Sequence, residues 1–327
     1  MKLENLRVKV LLSVCFGVLV IFALMFYADF TKTLQALSSF RWQYLPLILG
    51  LTLLNYFLRF IKWDYYLHQI GVTTLSRSES LLIFFSGLSM VITPGKLGEW
   101  VKSYLLKEMT STPFSRSAPI IIAERLSDGI ALILLASAGL LLFGIGWQLA
   151  LLVLVLAAAV VAAARCRPLA MPVIALMERL PLVSSQAHLL HDFYESSHIL
   201  FSAKNLLFAV GLGFFSWLGE CVAFYFVLVG LGMPGSATLL VQASFILSVS
   251  TVGASIVLLP GGLGVAEGGI TGLSQLLAGA PKDVAVAGAL IIRFCTLWFG
   301  VSLGMIALSI ATRRIAERSR SELPQAQ

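Results

Sequence analysis

Six stretches of this chain, at approximately 10–28, 45–68, 118–145, 148–164, 206–231 and 284–312, are apolar over a length that can cross a bilayer, which takes about 20 residues of helix. That feature removes most fold classes. Hydrocarbon offers backbone N–H and C=O groups no partners, so such runs must satisfy them internally and fold as helices. The chain is 58% hydrophobic and 12% charged, about half the usual charged fraction. The spans leave little room for anything else among the 327 residues. The expectation is one all-α, polytopic membrane domain over 1–327, and not a soluble enzyme.

Two further apolar segments, 81–93 and 239–259, run into Pro-Gly breaks, TPGKLGEW (93–100) and LPGGLGVAEGG (259–269). Proline stops a helix and glycine frees the backbone behind it. Each segment therefore reads as half of a re-entrant helical hairpin, about 79–107 and 239–281, that enters and leaves by one face. Both breaks read Pro-Gly-x-Leu-Gly with a glutamate soon after: Pro94, Gly95, Leu97, Gly98 and Glu99, then Pro260, Gly261, Leu263, Gly264 and Glu267. Each proline is followed by an arginine at similar distance, Arg125 and Arg293. This is an internal repeat. Three spans separate the copies, which inverts the second, and inverted repeats of broken helices are the architecture of alternating-access transporters.

Charge orients the chain. Lys2, Arg7 and Lys9 precede the first span, and Arg313, Arg314, Arg318 and Arg320 begin a basic tail, 313–327. The positive-inside rule puts both termini in the cytoplasm, here across a bacterial inner membrane, with a cytoplasmic connector at about 165–205. The net charge of +7 points to anionic lipid headgroups as partners; no groove-reading motif suggests nucleic acid. Cys15, Cys166, Cys221 and Cys295 are too scattered for a zinc site or a disulfide framework. His188, His191 and His198 beside Asp192 and Glu195 read as ordinary connector chemistry rather than as metal ligands. No metal and no cofactor are expected.

Ionisable groups inside apolar runs carry the chemistry, because each costs about 2.5–3.5 kcal/mol at a helix centre unless it has a partner or a wet cavity. Lys102, Lys107, Asp64 and Asp128 are ambiguous between the headgroup interface and the interior. Arg59 and Arg293 have apolar sequence on both sides. Guanidinium forks suit phosphate, and Gly-rich half-helix starts supply N–H donors for an anion. The expected headgroup site is Arg59, Lys62, Lys96, Arg125 and Arg293 with Gly95, Gly98, Gly261 and Gly262. Glu99, Glu124, Asp128, Glu220 and Glu267 are expected to clamp those cations or to serve coupling. Gly144, near a span end, is expected to tolerate valine. No catalytic residue is assigned.

ITPGKLGEWVKSYLL (92–106), ERLSDG (124–129), the Arg59, Lys62, Trp63 pattern and LLPGGLGVAEGG (258–269) resemble the membrane region of lysylphosphatidylglycerol synthases, a flippase-like region similar also to archaeal dolichol-linked glycosylation proteins. The resemblance covers about Leu45 to Ala311 and includes Arg59, Lys96, Glu99, Glu124, Arg125, Glu267 and Arg293. It implies the lipid-translocating half of such a synthase without its aminoacyl-transferase domain, so lipid aminoacylation is expected to be absent. The function expected is translocation, by a flippase or scramblase, of an anionic phospholipid or a polyprenyl-phosphate-linked lipid. The alternative is a membrane component or accessory subunit of a separately encoded lipid-modifying or glycosyl-transfer enzyme.

Overall fold

The computed structural model describes residues 3–93, 99–144, 147–168, 171–172, 176, 187–257 and 259–321. Among these no strand occurs. In chain order the helices are α1 (Leu3–Tyr27), α2 (Phe30–Ser39), α3 (Leu45–Gln69), α4 (Arg77–Leu88), α5 (Val101–Thr110), α6 (Phe114–Phe143) and α7 (Trp147–Arg165). There follow α8 (Ala187–Leu200), α9 (Ala203–Gly230), α10 (Ala237–Val257), α11 (Val265–Ala278), α12 (Lys282–Arg293) and α13 (Phe299–Ser321). A π-helical segment, Phe294–Trp298, joins the last two.

Four helical stretches are both long and apolar enough to cross a membrane: Trp42–Gln69, Ala203–Gly230, Ala237–Val257 and Lys282–Glu317. A fifth is a bent pair, Cys15–Tyr27 with Phe30–Ser39, which turns by 100°. The bend follows from Asp29, whose backbone lies at φ 74 and whose carboxylate caps α2 by accepting from the N–H groups of Thr31 (3.0 Å) and Lys32 (3.3 Å). Helix α6 has 30 residues but carries Glu124, Arg125 and Asp128 in its middle. Outer faces carry exposed Leu141, Leu207, Leu276 and Phe294, a surface that suits lipid rather than water.

The helix lengths separate the two Pro-Gly regions. The first is flanked by short helices of 12 and 10 residues, α4 and α5, each far below the rise of about 30 Å that a crossing needs. The second is preceded by the 21-residue α10, which is long enough to cross, and followed by the 14-residue α11 packed along it. The element order is nonetheless the same in both places. An apolar helix meets a break, a short helix follows, and a third helix brings an arginine.

Packing relies on close backbone approach, as membrane helices do. Helix α9 packs most extensively on α3, where Asn55 Nδ2 donates to the Ser216 carbonyl (3.0 Å) and Ser216 Oγ to the Asn55 carbonyl (3.2 Å). Helices α13 and α4 come so near that a side chain at Gly304 would collide with the backbone at Ser89. Two large apolar clusters result, one around Phe40, Ile48, Phe224 and Ile246, the other around Trp63, Tyr66, Phe84 and Leu106, with a small third of Ile92, Leu263 and Leu297. A half-open cavity is bordered by residues of both large clusters.

Candidate functional site

The cavity measures about 520 Å³, within the range of small-ligand sites. Its walls come chiefly from α3, α6, α9, α10, α12, the π-helical segment and the second break, with further residues from α4, α7, α11, α13 and from Glu99 and Trp100. Most of the lining is apolar, yet six ionisable side chains reach it: Arg59, Glu99, Arg125, Asp128, Glu220 and Arg293.

Arg293 ends α12 and is held twice. Its Nε donates to Glu267 Oε1 (2.6 Å) and its Nη2 to the Gly261 carbonyl (2.6 Å). That carbonyl is available because Gly261 occupies the left-handed region at φ 58, which turns the backbone out of helical pairing. The π-helical segment begins at the next residue, and π segments cluster at functional positions. The Thr296 carbonyl within it accepts from the Tyr56 hydroxyl.

Arg125, on α6, repeats this arrangement at the first break. Its Nε lies 3.1 Å from Glu99 Oε2 and its Nη2 lies 3.7 Å from Asp128 Oδ2. The Glu99–Arg125 and Glu267–Arg293 pairs have the same separation of 26 residues. Thus each break supplies a glutamate, and the helix two elements later supplies the arginine that it holds. Arg59 is held most lightly of the three, with its Nη2 3.8 Å from Asp128 Oδ2 and its guanidinium 5.9 Å from the centre of the Trp217 ring, inside cation–π range.

The other expected residues divide. Lys62 does not line the cavity. It is fully buried behind Asp128, donating to Asp128 Oδ1 and to Ser127 Oγ (3.1 Å), so its role is to neutralise that carboxylate from the protein side. Glu124 does not clamp an arginine but pairs with Lys102, whose ammonium also sits 4.5 Å from the Trp63 ring centre. Lys102 and Asp128 are therefore interior groups, whereas Lys107 is exposed. Asp64 is half-buried and accepts from Ser80 Oγ (2.7 Å). Pro94, Gly95, Lys96, Leu97 and Gly98 lie outside the described residues.

Two expectations about glycine change. The N–H groups of Gly262 and Gly264 at the second break are not free for an anion: that of Gly262 donates to the Leu259 carbonyl (2.9 Å), and that of Gly264 donates to Glu267 Oε2 (2.7 Å). Gly261 and Gly262 line the cavity, but as a left-handed turn that shapes it. Gly144 is not a permissive site either, because it caps α6 at φ 66, where a β-branched residue is strained.

Trp217, Trp100 and Tyr56 also line the cavity, and none of them is among the residues expected from the sequence. Trp217 and Glu220 stand at i and i+3 on α9, one above the other on a single helical face. An aromatic one turn before the lone carboxylate of an apolar helix was the signal available.

Helices throughout the described residues, apolar outer faces and ion pairs gathered around one half-open cavity define an integral membrane protein of the polytopic α-helical class. Residues 10–304 match the family described as the lysylphosphatidylglycerol synthase TM region, and the chain belongs to that family. It is also similar to a UPF0104 membrane protein of Methanothermobacter thermautotrophicus, with 27% identity over 135 residues. That match covers 41% of this chain and 39% of the relative, so it spans well under half of either.

Proposed function

We propose that the protein translocates an anionic lipid, a phospholipid or a polyprenyl-phosphate-linked lipid, across the inner membrane of a bacterium. The observation that carries this reading is the set of three arginines, Arg59, Arg125 and Arg293, around one cavity, each held by a carboxylate. A phosphate offers two oxygens to the guanidinium fork, as a carboxylate does, and exchanges for it there. The carboxylates keep the arginines neutralised in the absence of lipid, and the incoming phosphate replaces them. Asp128 keeps Lys62 as its counter-ion throughout, and a displaced Glu99 or Glu267 carboxylate takes up a proton as the phosphate arrives, so no bare ion is left in the low-dielectric interior.

The same reading includes six spans, two re-entrant hairpins and cytoplasmic termini. It is supported by the matched element order and the equal 26-residue spacing of the two Glu–Arg pairs. Alternating access around these pairs is the mechanism that a repeat of broken helices favours. The test is reconstitution of the purified chain in liposomes carrying headgroup-labelled anionic lipids. Protein-dependent loss of label protection in one leaflet is expected. Rates equal to those of protein-free liposomes across a panel of phosphatidylglycerol, phosphatidic acid and polyprenyl phosphate would refute it.

A further inference from the structure

Among the carboxyl groups of the cavity, Glu220 has no cation to match it. Glu99 and Asp128 each have a guanidinium within 4 Å, and Asp128 has the Lys62 ammonium as well. Glu220 stands on α9, is 7% exposed and lines the cavity, yet among the described residues it makes no ion pair and no hydrogen bond. The ionisable groups that act on it are Tyr56 and Arg59 on α3, Asp128 on α6, Arg293 on α12 and Cys221 on its own helix. Helix α10, packed beside it, carries none. Each of these groups is committed elsewhere. Tyr56 donates to the Thr296 carbonyl, Cys221 lies against Ser244 and Ser248, Arg59 faces Asp128, and Arg293 holds Glu267 and the Gly261 carbonyl.

We infer that Glu220 is a phosphate-binding residue that acts as a neutral carboxylic acid, donating its O–H to a lipid phosphate held by the neighbouring guanidiniums. The inference rests on the translocation reading and adds an uncharged donor to its three arginines. A buried carboxylate without a partner is costly, and such a group keeps its proton instead. Arg59 and Arg293 favour the ionised form, but Asp128 and Glu267 already neutralise them, and neither guanidinium bonds to Glu220. The charges agree. Arg59, Lys62, Arg125 and Arg293 face the carboxylates Glu99, Asp128 and Glu267, so the cluster is left with one positive charge when Glu220 holds a proton and with none when it does not. The protonated cluster therefore attracts a phosphate, and the ionised one has no net charge to do so. The spacing fits as well, because Arg59 and Arg293 act on Glu220 from outside ion-pair distance. A phosphate bridges such a gap, taking N–H donors at about 2.7–2.9 Å on one oxygen and an O–H donor at about 2.5–2.7 Å on another. A carboxylic acid held neutral by its site is a strong donor to an anion. Its proton is separate from the one that a displaced Glu99 or Glu267 takes up.

The experiment measures binding to the full chain in detergent micelles of phosphatidylmethanol, a phosphodiester whose headgroup offers little beyond its charge and its oxygens. Glu220→Ala removes the donor and is expected to weaken binding about tenfold or more, the value of a hydrogen bond to a charged group. Glu220→Gln keeps a donor of similar shape and is expected to recover part of that loss. The donor is present while Glu220 holds its proton and is lost as pH rises. Affinity in the unmodified protein is thus expected to fall more steeply from neutral to alkaline pH than in Glu220→Gln. Infrared spectra are expected to show a carboxylic acid C=O band that is missing in Glu220→Gln and that shifts when the lipid binds. The pH and infrared readouts hold even where Glu220→Ala does not fold. Binding by Glu220→Gln as weak as by Glu220→Ala, equal pH profiles, or no missing band would each overturn the inference. Inorganic phosphate competing as strongly as the lipid would overturn a lipid as the source of the phosphate. Binding and movement unchanged in both Glu220 variants but lost in Arg293→Ala would overturn the donor and leave translocation standing. Binding of no lipid at all would remove both.

Discussion

Asp128 is the hub of the buried charge network, and the way its partners are distributed predicts an asymmetry. Lys62 is buried to 1% of its side-chain surface, and among the described residues its ammonium has Asp128 and one neutral hydroxyl, Ser127 Oγ at 3.1 Å. Asp128→Asn keeps the shape and removes the charge, which strands that ammonium. The cost of breaking a buried pair in this way is about 3–5 kcal/mol. Lys62→Met removes the other partner, but Asp128 still has Arg125 at 3.7 Å and Arg59 at 3.8 Å. The loss is then one charge-assisted hydrogen bond, about 1.5–3 kcal/mol. Asp128→Asn is therefore expected to cost about 2 kcal/mol more than Lys62→Met. The double variant is expected to be more stable than Asp128→Asn alone, because no ammonium remains to be stranded. The assay is reversible denaturant unfolding in mixed micelles, followed by the fluorescence of the six tryptophans. Equal costs for the two single variants, or strictly additive costs in the double, would refute the placement of Lys62 behind the cavity.

Gly304→Ala is expected to destabilise by about 1–3 kcal/mol, since the methyl group would strike the Ser89 backbone. Gly272→Ala, where a side chain meets nothing within 4 Å, is expected to be neutral or stabilising by up to about 1 kcal/mol, and thermal unfolding of the two in one detergent compares them. Gly261→Val and Gly144→Val both place valine at positive φ and are expected to lose stability. Only Gly261→Val is expected to stop lipid movement at matched protein levels, because the Gly261 carbonyl holds Arg293. In a background without the four native cysteines, a cysteine at Thr110 is expected to label from the cytoplasmic side and one at Pro234 from outside. External labelling at Thr110 would remove the first re-entrant hairpin and the inversion of the repeat.

Hydropathy made two of the long helices legible to within about three residues, whereas the run at 10–28 belongs to a helix that starts at Leu3 and that at 284–312 is divided between α12, the π-helical segment and α13. The segment at 45–68 is α3, Leu45–Gln69, and that at 206–231 is α9, Ala203–Gly230, because apolar runs of this length have one stable form in lipid. Helix α2 went unread: it is a single short amphipathic helix, and its signal was the Asp29 cap. The arginines at the cavity were legible because a guanidinium inside an apolar run demands explanation. Their surroundings were less so. Whether Lys62 faces the cavity or lies behind it depends on where α6 crosses α3, and the pairing of Lys102 with Glu124 depends on how α5 seats against α6. Neither crossing is encoded in local periodicity. The engagement of the Gly262 and Gly264 N–H groups is not legible in the sequence for a related reason. A Gly-rich stretch announces a turn, but only the φ values show whether the turn consumes its own donors.

Exchange of a carboxylate for a lipid phosphate on the guanidiniums is tested most directly by lipid movement in liposomes with Arg125 and Arg293 variants at matched, folded protein levels. Alanine at either position is expected to abolish movement, and lysine to restore only part of it, because an ammonium lacks the paired donors of the fork. Near-normal rates in both alanine variants would contradict the account and leave the two Glu–Arg pairs as fastenings of the fold.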